Sequence, residues 1–163
     1  MVKPAIVKSQ VSVRQNGLKR FALIFCGAFG LFLVYLFQEY LNLYSLITEG
    51  TLRRLNYPAD FIDVNRLEFI VNKVFRYILN DLFAIALLHG LFYEKKYLRF
   101  AFYVMIFGLL VLVPLYLFIY LNQPRGFSSM LSHLHRLVMN PVLMMLLIPA
   151  FYYQRRVEKK SAN

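Results

Sequence analysis

The stretch Phe100–Tyr120 carries no charge and no amide, and its only polar side-chain atoms are tyrosine hydroxyls. As a helix it rises about 1.5 Å per residue, enough to cross a hydrocarbon layer roughly 30 Å thick. Such a segment needs apolar surroundings on every side. The chain has little polar surface with which to wrap it in water, because 60% of its 163 residues are apolar, against about half in a soluble domain. Lipid is the solvent that fits this composition, and intrinsic disorder is excluded on the same ground.

Three other segments follow the same pattern. Phe21–Phe37 lacks charges and amides and is prolonged by Tyr40, Leu41 and Tyr44, which gives a first span over about 21–44. A second span, over about 68–92, is apolar from Leu82 to Phe92 but carries Asn72, Lys73, Arg76, Asn80 and Asp81 in its outer half. Phe100–Tyr120 is the third. The fourth, over about 137–153, contains Asn140, Pro141 and Pro149, so it is expected to cross as a kinked helix whose freed carbonyls bond to neighbouring helices. The expected fold is an all-α integral membrane protein with four transmembrane helices. A basic arm over 1–20 precedes a transmembrane domain over 21–153, and a basic tail covers 154–163. The arm and the apolar run after it resemble a signal peptide without a small-x-small cleavage site, and read as an uncleaved signal anchor.

Orientation follows from the Lys and Arg residues, which number 19. Twelve lie in the N-terminal arm, in the connection after span two (Lys95, Lys96, Arg99) and in the tail, while the alternate connections hold five: Arg53, Arg54, Arg66, Arg125 and Arg136. Positive residues stay on the cytoplasmic side, which predicts both termini there (N-in/C-in). Because the charge is divided among short juxtamembrane segments, no single basic face exists for nucleic acid. Tyr40, Tyr44 and Tyr120 would mark the outer interface, and Tyr93, Tyr97, Tyr152 and Tyr153 the inner one.

Asn72, Arg76 and Asn80 fall at i, i+4 and i+8, so one face of span two is polar through its outer half. A charged side chain at that depth is costly and marks a site by default. The plainer and commoner arrangement has Lys73 and Arg76 snorkelling outward, with Asn80 and Asp81 as packing partners. Ser128–Arg136 reads as an outer loop that brings His133, His135 and Arg136 to the same side, with Asn140 one turn further on. Arg76, Asn80, Asp81, His133, His135, Arg136 and Asn140 are thus the candidates for a polar or partner-binding site at the outer face. No metal or other cofactor is expected, since the i, i+2 histidine pair has no acidic third ligand nearby.

Cys26 is the lone cysteine, so no disulfide closes within the chain. Both Cys26 and His89 fall toward the inner ends of their spans, where a thiol and a base would be in reach of each other. Packing explains them better. Ala22, Cys26 and Gly30, with Gly27 adjacent, form a small-xxx-small stripe suited to close helix approach, and His89 reads as a satisfied interhelical hydrogen bonder. Phosphate loops, an HExxH pair and a GxSxG elbow are absent from the sequence, so no catalytic constellation is expected.

Two motifs carry a family resemblance. The stretch Arg136, Leu137, Asn140, Pro141 followed by Leu146–Gln154 (LLIPAFYYQ) and Arg155–Arg156, together with Arg76–Asn80 (RYILN), resembles the small membrane proteins associated with exosortase F, over about residues 20–156. The resemblance implies a Gram-negative inner-membrane protein that works beside an exosortase, a membrane transpeptidase of protein sorting thought to use an outer-face cysteine with arginine and histidine. This chain departs from that enzyme's pattern, because Cys26 lies toward the side opposite His133 and His135. A noncatalytic accessory that stabilises the transpeptidase or presents its substrate is therefore expected. The alternative is a small transporter or lipid-modifying enzyme using Arg76, Asp81 and the His133/His135 segment.

Overall fold

Helix α3 (Arg66–Phe92) is the axis on which the other helices assemble. In a computed structural model the described residues are 4–55, 65–122 and 128–161, with side chains described from Gly17 onward except those of Ser128 and Lys159. The expected outer-loop residues Asp60, Asp63 and Arg125, and the side chains of Lys3, Lys8 and Arg14, lie outside them. Every regular element among the described residues is helical. Three helical stretches, Gly17–Leu36, Arg66–Phe92 and Lys95–Asn122, are long and apolar enough to cross a membrane, and a bent pair makes up to four.

Helix α1 runs Pro4–Leu36, so the basic arm continues into the first apolar helix without a break. It ends before the point expected from sequence. The chain turns at Phe37–Tyr40, and Asn42 caps a separate short helix α2 (Leu43–Glu49) by accepting from the Ser45 N–H at 3.0 Å. Gly50, at φ 67°, closes α2 in the left-handed conformation that glycine adopts without strain. Asn65 starts α3 in the same way, its Oδ1 accepting from Leu67 N–H at 3.1 Å with Glu68 in the first turn.

Helices α1 and α3 pack antiparallel at close range through glycines. A Cβ on Gly27 would lie 2.6 Å from the Leu87 nitrogen and 2.7 Å from the Phe83 oxygen, and one on Gly30 would meet the Phe83 ring. Gly90 of α3 returns the contact against Ile24 and Arg20. The expected stripe is therefore rotated. Gly27 and Gly30 face α3, while Cys26 and Ala22, one and two turns before Gly30, are exposed.

A two-residue turn joins α3 to α4 (Lys95–Phe107): Tyr93 takes φ 52° and donates its N–H to the His89 carbonyl at 2.7 Å. A π-helical turn over Gly108–Leu112 leads directly into α5 (Val113–Asn122). Pro114 accounts for the widened turn, because its ring would crowd the carbonyl of Leu110 and it supplies no N–H. At the same level Tyr77 donates its hydroxyl to the Met105 carbonyl at 3.1 Å, an approach open because Gly108 has no side chain there.

Helix α6 (Ser128–Met139) occupies the segment expected to be a loop, and α7 (Val142–Ser161) follows after a 65° bend. The break falls at Asn140–Pro141, since a residue before proline is pushed out of the helical region. Pro149, also expected to interrupt the span, sits inside an unbroken α7. Two apolar clusters fill the bundle. One centres on Leu88, Phe92, Tyr97, Met144 and Phe151, and the other on Tyr77, Val113, Tyr116, Val138 and Met139.

Candidate functional site

The face of α3 defined by Asn72, Arg76 and Asn80 is polar through its first half, as the i, i+4, i+8 spacing requires, and each residue meets a different element. Asn72 donates from Nδ2 to Asn42 Oδ1 at 2.8 Å and accepts from the Tyr44 N–H at 3.1 Å. Asn42 in turn donates to Glu68 Oε1 at 2.8 Å, and Glu68 accepts from Arg53 at 3.1 Å. That hydrogen bond, with the nearby charge of Glu49, holds the exposed Arg53 guanidinium above its ordinary pKa. This network fastens the α1–α2 corner to the start of α3. Asn42, Ser45 and Asn72 are buried, so their hydrogen bonds are protected from competition with water.

One turn deeper, Arg76 donates from Nη2 to Gln38 Oε1 at 2.8 Å, while its Nε is buried without a hydrogen-bond partner. Among the described residues no carboxylate forms an ion pair with it. Snorkelling therefore describes Arg76 incompletely: the side chain is half-buried and reaches along the bundle to the end of α1. Another turn on, the buried Asn80 donates to the Met139 carbonyl at 2.8 Å. Met139 is the last residue of α6, so Asn80 satisfies a carbonyl that the break leaves without an intrahelical donor. Asn80 lies near the middle of α3, with Arg66 and Phe92 about equally far along the helix. The break between α6 and α7 thus sits halfway down the bundle.

Between α1, α3 and this break lies a cavity of about 240 Å³ whose walls include Leu31, Tyr35, Arg76, Asn80, Asn140 and Met145. No family model, curated protein or solved structure matches the chain. The cavity's chemistry must be argued from these side chains: a cation with an unused donor, two amides, and the first turn of α7, in an otherwise apolar wall.

Only part of the sequence-based candidate set gathers here. Arg76, Asn80 and Asn140 line one space. Asp81 is buried and stands by Tyr77, a helical turn before it on α3. His135 shares a hydrogen bond of 2.9 Å between its Nδ1 and the Tyr116 hydroxyl. His133 is exposed, with Nδ1 2.7 Å from the Ser129 carbonyl oxygen, and Arg136 is exposed as well. Because Ser128–Met139 is a helix, residues two apart point to nearly opposite faces, which separates His133 from His135. Among the described residues no three of His, Cys, Asp and Glu come together.

Cys26 is exposed on α1, and His89 stacks on Tyr93 with ring centroids 5.3 Å apart. His89 is not a satisfied hydrogen bonder, because its Nδ1 is buried without a partner. Gln38, Asn42 and Glu68 complete the polar seam and were not among the candidates. The spacing of Asn42 and Ser45 is an N-cap signal, hidden by reading the first apolar run through to Tyr44.

Proposed function

We propose that this chain is a noncatalytic accessory of an exosortase-type transpeptidase in a bacterial inner membrane, stabilising the enzyme or presenting its substrate. The family reading rests on the sequence motifs. The observation that supports action through a membrane partner is the one-sided seating of α1, which is 17% buried over its apolar window against 39% for α3. Ala22 and Cys26 are exposed, and their small side chains would let a partner helix approach closely.

The reading includes four crossings with both termini in the cytoplasm. In its favour, three basic segments meet at one end of the bundle. Arg20 donates to the Gly90 and Leu91 carbonyls at 3.3 and 2.9 Å, and Glu94 lies 3.5 Å from Lys96 and 3.9 Å from Arg155. The α6–α7 pair then forms one broken span. Reporter fusions after Arg20, Leu98 and Asn163 are expected to read cytoplasmic, and fusions near Tyr57 and Arg125 external. A periplasmic C-terminus would refute four crossings.

The functional test is copurification with the exosortase encoded beside it, in mild detergent. Association is expected for the natural chain and for Cys26→Ser, which keeps a small residue at the exposed position. Cys26→Phe should lose the partner while remaining abundant. If Cys26→Ser abolishes protein sorting in an abundant protein, or the isolated chain is active in proteoliposomes, the noncatalytic reading fails.

A further inference from the structure

We propose that the cavity between α1, α3 and the α6–α7 break binds the phosphate-bearing head group of an anionic lipid. Arg76 supplies the first reason. Its one intramolecular hydrogen bond goes to a neutral amide, its buried Nε has no partner, and among the described residues no carboxylate neutralises it. The buried acid on the same helix, Asp81, stands by Tyr77 instead. A cation left in this condition inside an apolar bundle is costly unless an anion arrives, and the planar guanidinium fork matches phosphate oxygens.

The second reason is the company Arg76 keeps in the cavity. Asn80 and Asn140 stand in the same wall, and the space abuts the first turn of the 20-residue helix α7. Val142 and Met145, the first-turn residues that border the cavity, already donate their N–H groups to the Asn140 and Pro141 carbonyls at 2.7 and 2.9 Å, so what this helix end offers an anion is the partial positive charge of its dipole. The broken helix therefore places the positive end of a dipole where the cation already lies, as discontinuous membrane helices do toward anionic groups.

The shape of the opening selects a lipid over a free anion. Tyr35 and Met145 border the cavity and are 66% and 52% exposed, so it opens sideways onto the apolar flank of the bundle. At about 240 Å³ it accepts a phosphate and its nearest atoms but not acyl chains. Those chains would lie outside, along Leu31, Tyr35 and Met145, in contact that inorganic phosphate cannot make.

The test uses the purified full-length protein in neutral detergent, with binding of phosphatidylglycerol and phosphatidylcholine measured by native mass spectrometry. The natural chain should prefer phosphatidylglycerol by about tenfold, the size expected of one charge-assisted contact. Arg76→Gln should abolish the preference, and Arg76→Lys should keep part of it. Arg99→Gln removes the same unit of charge from an exposed position and should leave the preference intact. Asn140→Asp places a negative charge in the wall at an exposed residue, so it should abolish the preference in a folded protein even if Arg76→Gln does not fold. Equal binding of the two lipids, a preference that survives Asn140→Asp, or one lost equally with Arg99→Gln would overturn the proposal. Competition by millimolar inorganic phosphate would overturn it too, since it would identify a soluble anion as the ligand.

Discussion

Gly27→Leu is expected to destabilise the isolated protein by about 3 kcal/mol, at the upper end of the range for overpacking, and to lower its apparent melting temperature by roughly 10 °C. The first added atom of the new side chain would stand 2.6 Å from the Leu87 nitrogen and 2.7 Å from the Phe83 oxygen. Both are backbone atoms of α3, so no rotamer change relieves the contact and the helices must move apart. Separation would also pull Arg20 from the Gly90 and Leu91 carbonyls and Gln38 from Arg76, because those hydrogen bonds span the same interface. Ala22→Leu and Cys26→Leu should each leave melting within a degree or two, since both positions are exposed and exposed substitutions have small effects. Thermal unfolding of the three variants in one detergent decides the matter. If Cys26→Leu proves as damaging as Gly27→Leu, Cys26 lies within the α1–α3 contact.

How far the sequence reveals this molecule depends on the range of the interactions involved. The apolar runs mark helices because lipid leaves backbone amides no partners outside the helix, and that constraint is local and strong. The i, i+4, i+8 spacing of Asn72, Arg76 and Asn80 places them on one face of α3 for a reason equally local. Their partners are another matter. Asn80 bonds to the Met139 carbonyl, 59 residues away, and a backbone acceptor has no signature in side-chain sequence. The rotation of α1 was undecidable for a similar reason. Ala22–Cys26 and Gly27–Gly30 are both small enough for close packing, and what selects the glycines is the shape of the α3 surface at Phe83 and Leu87.

The fourth segment is the opposite case, in which competing local signals are present in the sequence itself. Asn140–Pro141 breaks the helix, whereas Pro149 does not. The residue before Pro141 is an asparagine, which leaves helical geometry readily, and Asn80 receives the carbonyl exposed there. Ala150 and Phe151 after Pro149 continue a helix packed against Phe92, Tyr97 and Phe100, and that packing outweighs the missing N–H. Polar residues in Ser128–Arg136 favoured a loop on composition, yet Leu131, Leu134 and Val138 recur at helical spacing and pack on α5.

Asn42→Leu is expected to release the α1–α2 corner while leaving the helix pair beneath it assembled. Asn42 is fully buried and at the centre of three hydrogen bonds: it accepts from Ser45 N–H at 3.0 Å and Asn72 Nδ2 at 2.8 Å, and donates to Glu68 at 2.8 Å. Leucine keeps the branching of the side chain and is the larger residue, so no cavity opens. The cost comes from groups left without partners inside the protein, at about 1–3 kcal/mol for each, with water entering the corner to satisfy some of them. A net loss of about 3 kcal/mol is expected, expressed locally. Amide hydrogen exchange should rise at least tenfold over Tyr44–Arg53, where the Ser45 hydroxyl also bonds the Thr51 carbonyl and accepts from the Arg53 N–H, while α3 from Tyr77 to Leu88 should stay protected. Asn72→Leu orphans the Tyr44 N–H instead and should act on the same segment. The double variant Asn42→Leu/Asn72→Leu should cost less than the sum of the two, because removing both members of a buried pair spares each the penalty of losing the other. Strict additivity, or unchanged exchange over Tyr44–Arg53 in Asn42→Leu, would show that the corner is held by apolar contact and not by this network.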